Sequence, residues 1–206
     1  QPVRQGENVN LRACWRSNAE MTTDYVFYVH LLDHSLNSLG QRDTYTGLGT
    51  FPTSSWKPGN MFCDTYLVPV SKELSRPVVV DVTTGFYDYD TRQQLPARTL
   101  DGIPSRRVVV GRVKLMPTSP APVAEQQYRT EARFQKSIVL TGYGWSALRA
   151  RPGETVSATV AWEASGPLDI SYTIFAHLLN ADGQMITQDD GLPQDGNYPT
   201  TFWGAN

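Results

Sequence analysis

The sequence has little of what several protein classes require. It holds only three histidines and two cysteines in 206 residues and no Gly-x-Ser-x-Gly elbow, so it offers few general bases and no recognisable nucleophile. Its 18 basic and 20 acidic residues are mixed along the chain, which leaves no basic stripe for a phosphate backbone. No run approaches the roughly eighteen apolar residues that cross a bilayer. We therefore predict no enzyme, no nucleic-acid partner and no spanning segment, although a membrane anchor outside this segment is compatible with the sequence.

Signals for metals and cofactors are equally weak. The segment Asn180-x-Asp182-Gly183 resembles part of a calcium loop, but the remaining ligands are absent and a hairpin turn explains it better. Asp88 and Asp90 follow a predicted strand and are interpreted as the solvated start of a loop, because a catalytic carboxylate pair needs apposed partners. We predict no cofactor and no metal site.

What the sequence does contain is an internal repeat. A shift of 147 residues, from Arg4 to Arg151, superimposes many identical residues without a gap. A period this long exceeds the 20 to 50 residues of solenoid units and indicates tandem domains. Further matching pairs are Gly6 and Gly153, Glu7 and Glu154, Trp15 and Trp162, His30 and His177, Gln41 and Gln188, Asp43 and Asp190, and Trp56 and Trp203.

The repeat predicts the domain organisation. Copy one is assigned to residues 1–115, a proline-rich linker to residues 116–135 and copy two to residues 136–206. Asn206 aligns with Gly59, so we expect the C-terminal half of copy two to be missing. The apolar run 137–145 leads into copy two and would align before Gln1, so we expect copy one to lack its first strand.

Both copies have the pattern of β-strands. In copy one, Val9, Leu11, Ala13 and Trp15 alternate with polar residues, and copy two repeats the alternation from residue 156 to residue 162. Such a period of two is typical of half-buried strands, and no segment has a sustained helical stripe. The predicted fold is all-β, with tandem antiparallel β-sandwiches of immunoglobulin-like topology and a jelly roll as the alternative.

The two cysteines allow two interpretations. Cys14 and Cys63 lie on strands that would be neighbours in an immunoglobulin-like order, and a disulfide between them would imply an oxidising compartment. Two free thiols are the alternative, and the sequence does not decide between them.

The best candidate for a binding site is a repeated set of polar and aromatic residues. An indole beside amide, imidazole and carboxylate groups could hold a sugar. The same tryptophans, however, end a repeated Gly-x-aromatic-Pro-Thr-x-x-Trp segment at residues 49–56 and 196–203, which suits a packed structural corner, and this interpretation is favoured. The candidate residues are His30, Gln41, Asp43 and Trp56 in copy one, and His177, Gln188, Asp190 and Trp203 in copy two.

Several segments carry a resemblance to a known group of modules. The chain resembles the extracytoplasmic β-sandwich modules of bacterial envelope proteins, notably those behind the multi-spanning region of protein-mannosyltransferase-like membrane glycosyltransferases. The resemblance implies an accessory domain outside the cytoplasmic membrane, with any glycosyl transfer performed elsewhere and no catalytic residue here. The chain departs from the usual pattern at its two cysteines and at residues 36–40. The resembling segments are residues 25–33 (YVFYVHLLD), 52–59 (PTSSWKPG), 64–66 (DTY), 84–88 (TGFYD) and 94–96 (QLP).

Three functions follow as hypotheses. The first is a non-catalytic scaffold or interaction module of a cell-envelope protein, with other envelope proteins as partners. The second is a carbohydrate-binding module, which requires an exposed ring at Tyr45, Trp56, Tyr198 or Trp203. The third is a subunit that assembles by strand exchange through a sheet edge left open by the missing first strand. The simpler alternative to exchange is that the missing strands lie outside this sequence.

Overall fold

Alternating apolar residues form strands in both halves of the chain, which is almost entirely β in the computed structural model. The structure describes residues 1–105, 107–119 and 127–204. It divides into one unit spanning Pro2–Thr118 and a second that begins at Ser119. The prediction of an all-β protein is confirmed. Helical structure among the described residues is limited to short 3-10 turns, none of which has the length or apolar character that crossing a membrane requires.

The first unit contains one large sheet and one small sheet. The strands are β1 (Val3–Arg4), β2 (Asn8–Arg16), β3 (Tyr25–Leu32), β4 (Ser38–Tyr45), β5 (Met61–Pro69), β6 (Val78–Asp88), β7 (Ala97–Arg98), β8 (Pro104–Ser105) and β9 (Val108–Met116). The large sheet has the order β1-β9-β6-β3-β4, the small sheet pairs β2 with β5, and β7 pairs with β8 in a short ribbon.

The two sheets share one hydrophobic core. Each contributes every second residue, but the outward residues of β3 are also mostly buried. Gly40 on β4 lies so close to the end of β5 that a Cβ atom there would collide with the carbonyl of Pro69. The buried residues of this core are Val9, Tyr66 and Val68 from the small sheet, Phe27, Val29, Leu31, Val78, Val80, Val82 and Leu115 from the large sheet, and Val70 after β5.

One pairing departs from the predicted antiparallel arrangement. β1 runs parallel to β9, with Val3 opposite Leu115 and Arg4 opposite Met116. The chain enters at the edge of the large sheet and then crosses to β2 in the small sheet. A two-residue edge strand can adopt either direction, so the alternation in the sequence does not specify it.

The second unit contains a three-stranded sheet and a two-stranded sheet. β10 (Tyr128–Phe134), β11 (Ile138–Trp145) and β12 (Ala158–Ala164) pair in that order, and β13 (Ile174–Leu179) pairs with β14 (Met185–Gly191).

The predicted linker at residues 116–135 is therefore wrong in its C-terminal part. Residues 128–134 form β10, which pairs with β11 from Tyr128 opposite Tyr143 to Phe134 opposite Ile138. The charged residues that alternate with its apolar ones gave this segment the composition of a linker. Residues 120–126 of the predicted linker lie outside the described residues.

The repeat is visible in hydrogen bonds as well as in residue identities. In copy one the backbone N–H of Glu7 donates to the carbonyl of Arg4 at 3.1 Å, and the Glu7 carboxylate accepts from the N–H of Arg4 at 2.8 Å. Glu154 and Arg151 make the same two bonds at 3.0 and 2.8 Å. The intervening glycine has a positive φ of 77° at Gly6 and of 89° in its counterpart. The shared residues thus specify the same turn twice.

Candidate functional site

The repeated tryptophans lie in structural corners. Trp56 is 5% exposed and packs its ring 4.6 Å from Phe62 and 6.4 Å from Trp15, measured between centroids. Trp203 is 9% exposed, and its indole N–H donates to the carbonyl of Tyr198 at 3.0 Å. Both indoles are largely buried in their corners, which favours the structural interpretation. Trp203 nevertheless lines a groove of about 400 Å³ together with Trp162 and Tyr198, so its place in a ligand-binding set stays a prediction.

A buried threonine ties each corner to the segment where β3 or β13 begins. The Thr53 hydroxyl donates to the carbonyl of Thr23 at 2.7 Å and accepts from the N–H of Tyr25 at 2.8 Å. In copy two the Thr200 hydroxyl donates to the carbonyl of Ile170 at 2.7 Å and accepts from the N–H of Tyr172 at 2.9 Å. Each hydroxyl satisfies one donor and one acceptor that would otherwise lack partners, which explains why this threonine belongs to the repeated motif.

The histidine and aspartate of the repeated set do come together. His30 on β3 lies directly opposite Gln41 on β4, and its Nε2 is 2.9 Å from Oδ1 of Asp43. The Tyr87 hydroxyl on β6 donates to Oδ2 of the same carboxylate at 3.2 Å. The ring of Tyr28 lies 4.6 Å from the imidazole. These side chains form a partly exposed polar patch on the outer face of the large sheet.

Electrostatics and burial tune two phenols of this patch. Burial first, and then the Asp43 carboxylate, raise the pKa of Tyr87. Burial likewise raises the pKa of Tyr28, against an opposing contribution from Arg107. Both phenols therefore stay protonated at neutral pH, and Tyr87 acts as a hydrogen-bond donor to the carboxylate.

Copy two contains a looser version of the same arrangement. His177 lies opposite Gln188, and its Nε2 is 3.5 Å from Oδ1 of Asp190. The Gln188 amide donates to Oδ2 of Asp190 at 3.3 Å, and the Phe175 ring, at the position of Tyr28, lies 4.8 Å from the imidazole. No described residue of the second unit corresponds to Tyr87.

The sequence analysis missed an aromatic and cationic extension of the patch in copy one. The Arg92 guanidinium carbon lies 4.6 Å from the ring centroid of Tyr89 and 5.8 Å from that of Tyr87. Tyr89 is 53% exposed, so it presents a ring to solvent. The signal in the sequence is Tyr87-x-Tyr89-x-x-Arg92, which encloses the carboxylates of Asp88 and Asp90.

Those carboxylates organise the loop. Asp88 Oδ1 accepts from the backbone N–H of Thr91 at 2.7 Å, from its hydroxyl at 2.8 Å and from the N–H of Asp90 at 3.1 Å. The Thr91 bonds hold the pKa of Asp88 below its usual value. A carboxylate that caps its own loop is not paired for acid–base catalysis, in agreement with the interpretation of this segment as a loop start.

Chemically, the patch offers groups that can bind a polar ligand. It offers the Asp43 carboxylate as an acceptor, phenol and guanidinium donors, and one exposed ring. Nearby on the same sheet, Leu32, Asp81 and Thr83 help to line a shallow groove of about 380 Å³. No cluster of three metal-ligating side chains occurs among residues 1–105, 107–119 and 127–204.

The two cysteines form a disulfide. Cys14 on β2 and Cys63 on β5 lie directly opposite each other, with their Cα atoms 4.1 Å apart. The alternative of two free thiols is therefore wrong. Their sequence separation of 49 residues corresponds to about 4 kcal/mol of stabilisation from loop entropy. The bridge lies on the outer face of the small sheet, away from the core.

Comparison of the chain with models of protein families, with curated proteins and with solved structures produced no match. The resemblance to envelope modules therefore stays a prediction.

Proposed function

We propose that this chain is a non-catalytic scaffold or interaction module of a cell-envelope protein, made of two copies of an immunoglobulin-like β-sandwich. The observation that carries the proposal is the use of repeated residues for internal bonds. Thr53 and Thr200 make the same pair of hydrogen bonds, and Trp56 and Trp203 are buried. What the copies share is a rigid frame, as expected of modules that display variable surfaces.

The disulfide supports a location outside the cytoplasm. Disulfides persist in oxidising compartments and are rare where glutathione and thioredoxin keep thiols reduced. The bond between Cys14 and Cys63 joins two strands on an exposed face, where a reductant can reach it. A protein that depends on this bond would lose stability in the cytoplasm.

Expression of the chain in a bacterium, with and without an export signal, tests this proposal. We expect the exported chain to be oxidised, protease-resistant and inactive toward generic hydrolase substrates. The cytoplasmic chain should be reduced and more easily digested. A double variant with Cys14→Ala and Cys63→Ala serves as the matched control, because it should be equally sensitive in both compartments. Equal resistance of the unmodified chain in both compartments would argue against an extracytoplasmic role.

The Tyr89–Arg92 contact favours glycan binding as a second candidate. An exposed aromatic ring beside hydrogen-bonding groups is suited to stacking on a sugar, and Asp43 supplies an acceptor on the same face. Titration calorimetry with a panel of envelope glycans should show binding that Tyr89→Ala weakens about tenfold, equivalent to roughly 1.4 kcal/mol. Tyr128→Ala, at an exposed ring of the other unit, is the control. Binding unaffected by Tyr89→Ala, or no binding at all, would eliminate this candidate.

A further inference from the structure

The Cys63 end of the disulfide is accessible from outside the protein. Cys63 is exposed on the outer face of the small sheet, and its neighbours on that face of β5 are Met61 and Thr65. Both neighbours are also exposed, and Met61 retains 75% of its surface. A thiolate can therefore reach the sulfur of Cys63, and access is one of the factors that set the rate of thiol–disulfide exchange.

The direction of the bridge leaves room for attack on Cys63. A thiolate approaches a disulfide in line with the sulfur–sulfur bond, on the side away from the sulfur that leaves. Because Cys14 and Cys63 lie directly opposite each other, the bond runs from one strand to the other. Attack on Cys63 therefore comes from the side of β5 that faces away from β2. Among the described residues β5 pairs with β2 alone, so no strand of the small sheet occupies this approach.

Two arginines flank the other cysteine. Arg12 and Arg16 lie two residues before and after Cys14 on β2, so all three side chains point outward, with neighbouring Cα atoms about 7 Å apart. Neither arginine makes an ion pair with a described residue. Asp64 is the acid of these two strands, and it points to the opposite face, where it accepts from the backbone N–H of Gly47 at 2.7 Å.

This charge distribution makes the two sulfurs unequal. A positive charge beside a cysteine stabilises its thiolate, and a stabilised thiolate leaves a disulfide faster. Cys14 is therefore the better leaving group, and Cys63 is the sulfur that an incoming thiolate attacks. The same two guanidinium groups also attract an anionic thiol to this face.

The strands can stay paired when the bridge opens. The carbonyl of Glu7 accepts from Val70 at 2.8 Å, and the N–H of Ser17 donates to Asn60 at 2.9 Å. The register between β2 and β5 is continuous, so the odd-numbered residues of β2 form the hydrogen-bonded pairs. Cys14 has an even number, and its side chain alone joins it to the opposite residue. Opening the bridge removes no main-chain bond, so exchange does not require unfolding.

We propose that the disulfide between Cys14 and Cys63 is a site of thiol–disulfide exchange with an external dithiol. One thiolate of the dithiol forms a bond to the sulfur of Cys63, the bond between the two cysteines breaks, and its electron pair stays on Cys14. The second thiolate then attacks the mixed disulfide, releases the Cys63 thiolate and leaves as an oxidised, cyclic disulfide. Two electrons pass to the bridge, and the two protons of the dithiol reach the cysteines through solvent. The exchange site does not depend on the scaffold role.

Reaction of the folded chain with mercaptoethanesulfonate, an anionic monothiol, tests the first step, because a monothiol leaves its adduct on the attacked cysteine. Samples are quenched with acid at early times, and mass spectrometry of peptides locates the adduct and measures the rate. We expect the adduct on Cys63. The double variant Arg12→Gln and Arg16→Gln should react about tenfold more slowly, because the leaving thiolate is less stable. Dithiothreitol should reduce the bridge completely and show the same dependence on the two arginines.

Two further variants separate charge from structure. Arg42→Gln with Arg129→Gln is the matched control, because it removes the same charge from β4 and β10 and should leave the rate unchanged. Arg12→Lys with Arg16→Lys keeps the charge beside Cys14 and should react like the unmodified chain. Amide hydrogen exchange in β5 checks folding. If the glutamine variant fails this check, salt takes its place: about 1 M salt shortens the screening length to about 3 Å and should slow the reaction of the unmodified chain severalfold.

An adduct mainly on Cys14 would overturn the inference, and so would equal rates for the glutamine variant and its control. A rate that is independent of thiol concentration and rises with the unfolded fraction in urea would also overturn it, because the bridge would then react only after unfolding. None of these results would contradict the scaffold role, which is tested separately by compartment and protease resistance.

Discussion

The corner threonine of copy one provides the sharpest test of the structural interpretation of the repeat. Thr53 is 1% exposed, and its hydroxyl bonds both to the carbonyl of Thr23 and to the N–H of Tyr25. Thr53→Val keeps the shape of the side chain and removes the hydroxyl. It therefore leaves one donor and one acceptor of the backbone without partners, while the packing around the methyl group persists.

The expected loss of stability follows from those two groups. A buried polar group without a partner costs about 1–3 kcal/mol, and because both groups are only partly buried we expect roughly 2–4 kcal/mol in total. At an unfolding entropy of about 2.1 cal/mol/K per residue, a loss of about 3 kcal/mol lowers the Tm of the first unit by roughly 12 °C. Thr53→Ser keeps the hydroxyl and should cost only about 1 kcal/mol for the lost methyl group.

Native-state hydrogen exchange on the full chain, followed by mass spectrometry, measures this loss for each unit separately. Peptides from β5 report on the first unit, and peptides from β11 report on the second. Thr53→Val should lower protection in β5 and leave β11 unchanged, whereas Thr200→Val should do the reverse. If Thr53→Val costs no more than Thr53→Ser, the hydroxyl does not hold the corner and the structural account of the repeat fails.

Three further predictions concern the disulfide, a turn and a buried phenol. Replacing both Cys14 and Cys63 by alanine should lower the free energy of unfolding by about 4 kcal/mol in urea denaturation, and dithiothreitol should have no further effect on that variant. Leu36 has a φ of 68°, and its counterpart in copy two is Gly183 with a φ of 78°. A positive φ is costly for leucine but not for glycine. Leu36→Gly should therefore stabilise the protein by about 1 kcal/mol and Gly183→Leu should destabilise it by a similar amount, as measured by thermal denaturation. Burial, and then a hydrogen bond to the Asp64 carboxylate, raise the pKa of Tyr66 above its ordinary 10.0. Above about pH 10 the folded state therefore keeps a proton that the unfolded state releases. The free energy of unfolding should then fall by up to roughly 1.4 kcal/mol per pH unit. Tyr66→Phe should remove that contribution, which urea denaturation at pH 9, 10 and 11 measures. If the unfolding free energy of the variant falls with pH as steeply as that of the unmodified chain, the prediction is wrong.

Much of the secondary structure could be predicted because its determinants are local. The alternation from Val9 to Trp15 specifies β2, and the repeated Arg-x-Gly-Glu segment specifies the turn before it in both copies. The strand β10 was not predicted, because Arg129, Glu131 and Arg133 alternate with its other residues and gave the segment the polarity of a linker. The parallel pairing of β1 depends on a chain crossing that no local pattern encodes.

The candidate site was predicted only in part because burial depends on the other sheet. The motif that ends in Trp56 does not specify whether the indole faces solvent or the core. The indole is buried because it packs against the rings of Trp15 and Phe62. His30 and Asp43 were correctly grouped, since strands joined by a hairpin bring them together. The Tyr89–Arg92 contact was missed because a spacing of three residues in a loop does not predict that the guanidinium lies over the ring.

The number of complete patches in the described chain predicts the stoichiometry of ligand binding. The carboxylate of Asp43 is held by His30 at 2.9 Å and by Tyr87 at 3.2 Å, whereas in the second unit the corresponding histidine lies 3.5 Å from Asp190. The tighter geometry depends on β6, which supplies the phenol at the third strand of the sheet. Tyr89 and Arg92 also follow β6, so the complete patch occurs once in the described chain. Any glycan bound by this patch should therefore bind with one site per chain, and a calorimetric stoichiometry of two would mean that the histidine–aspartate pair alone forms the site.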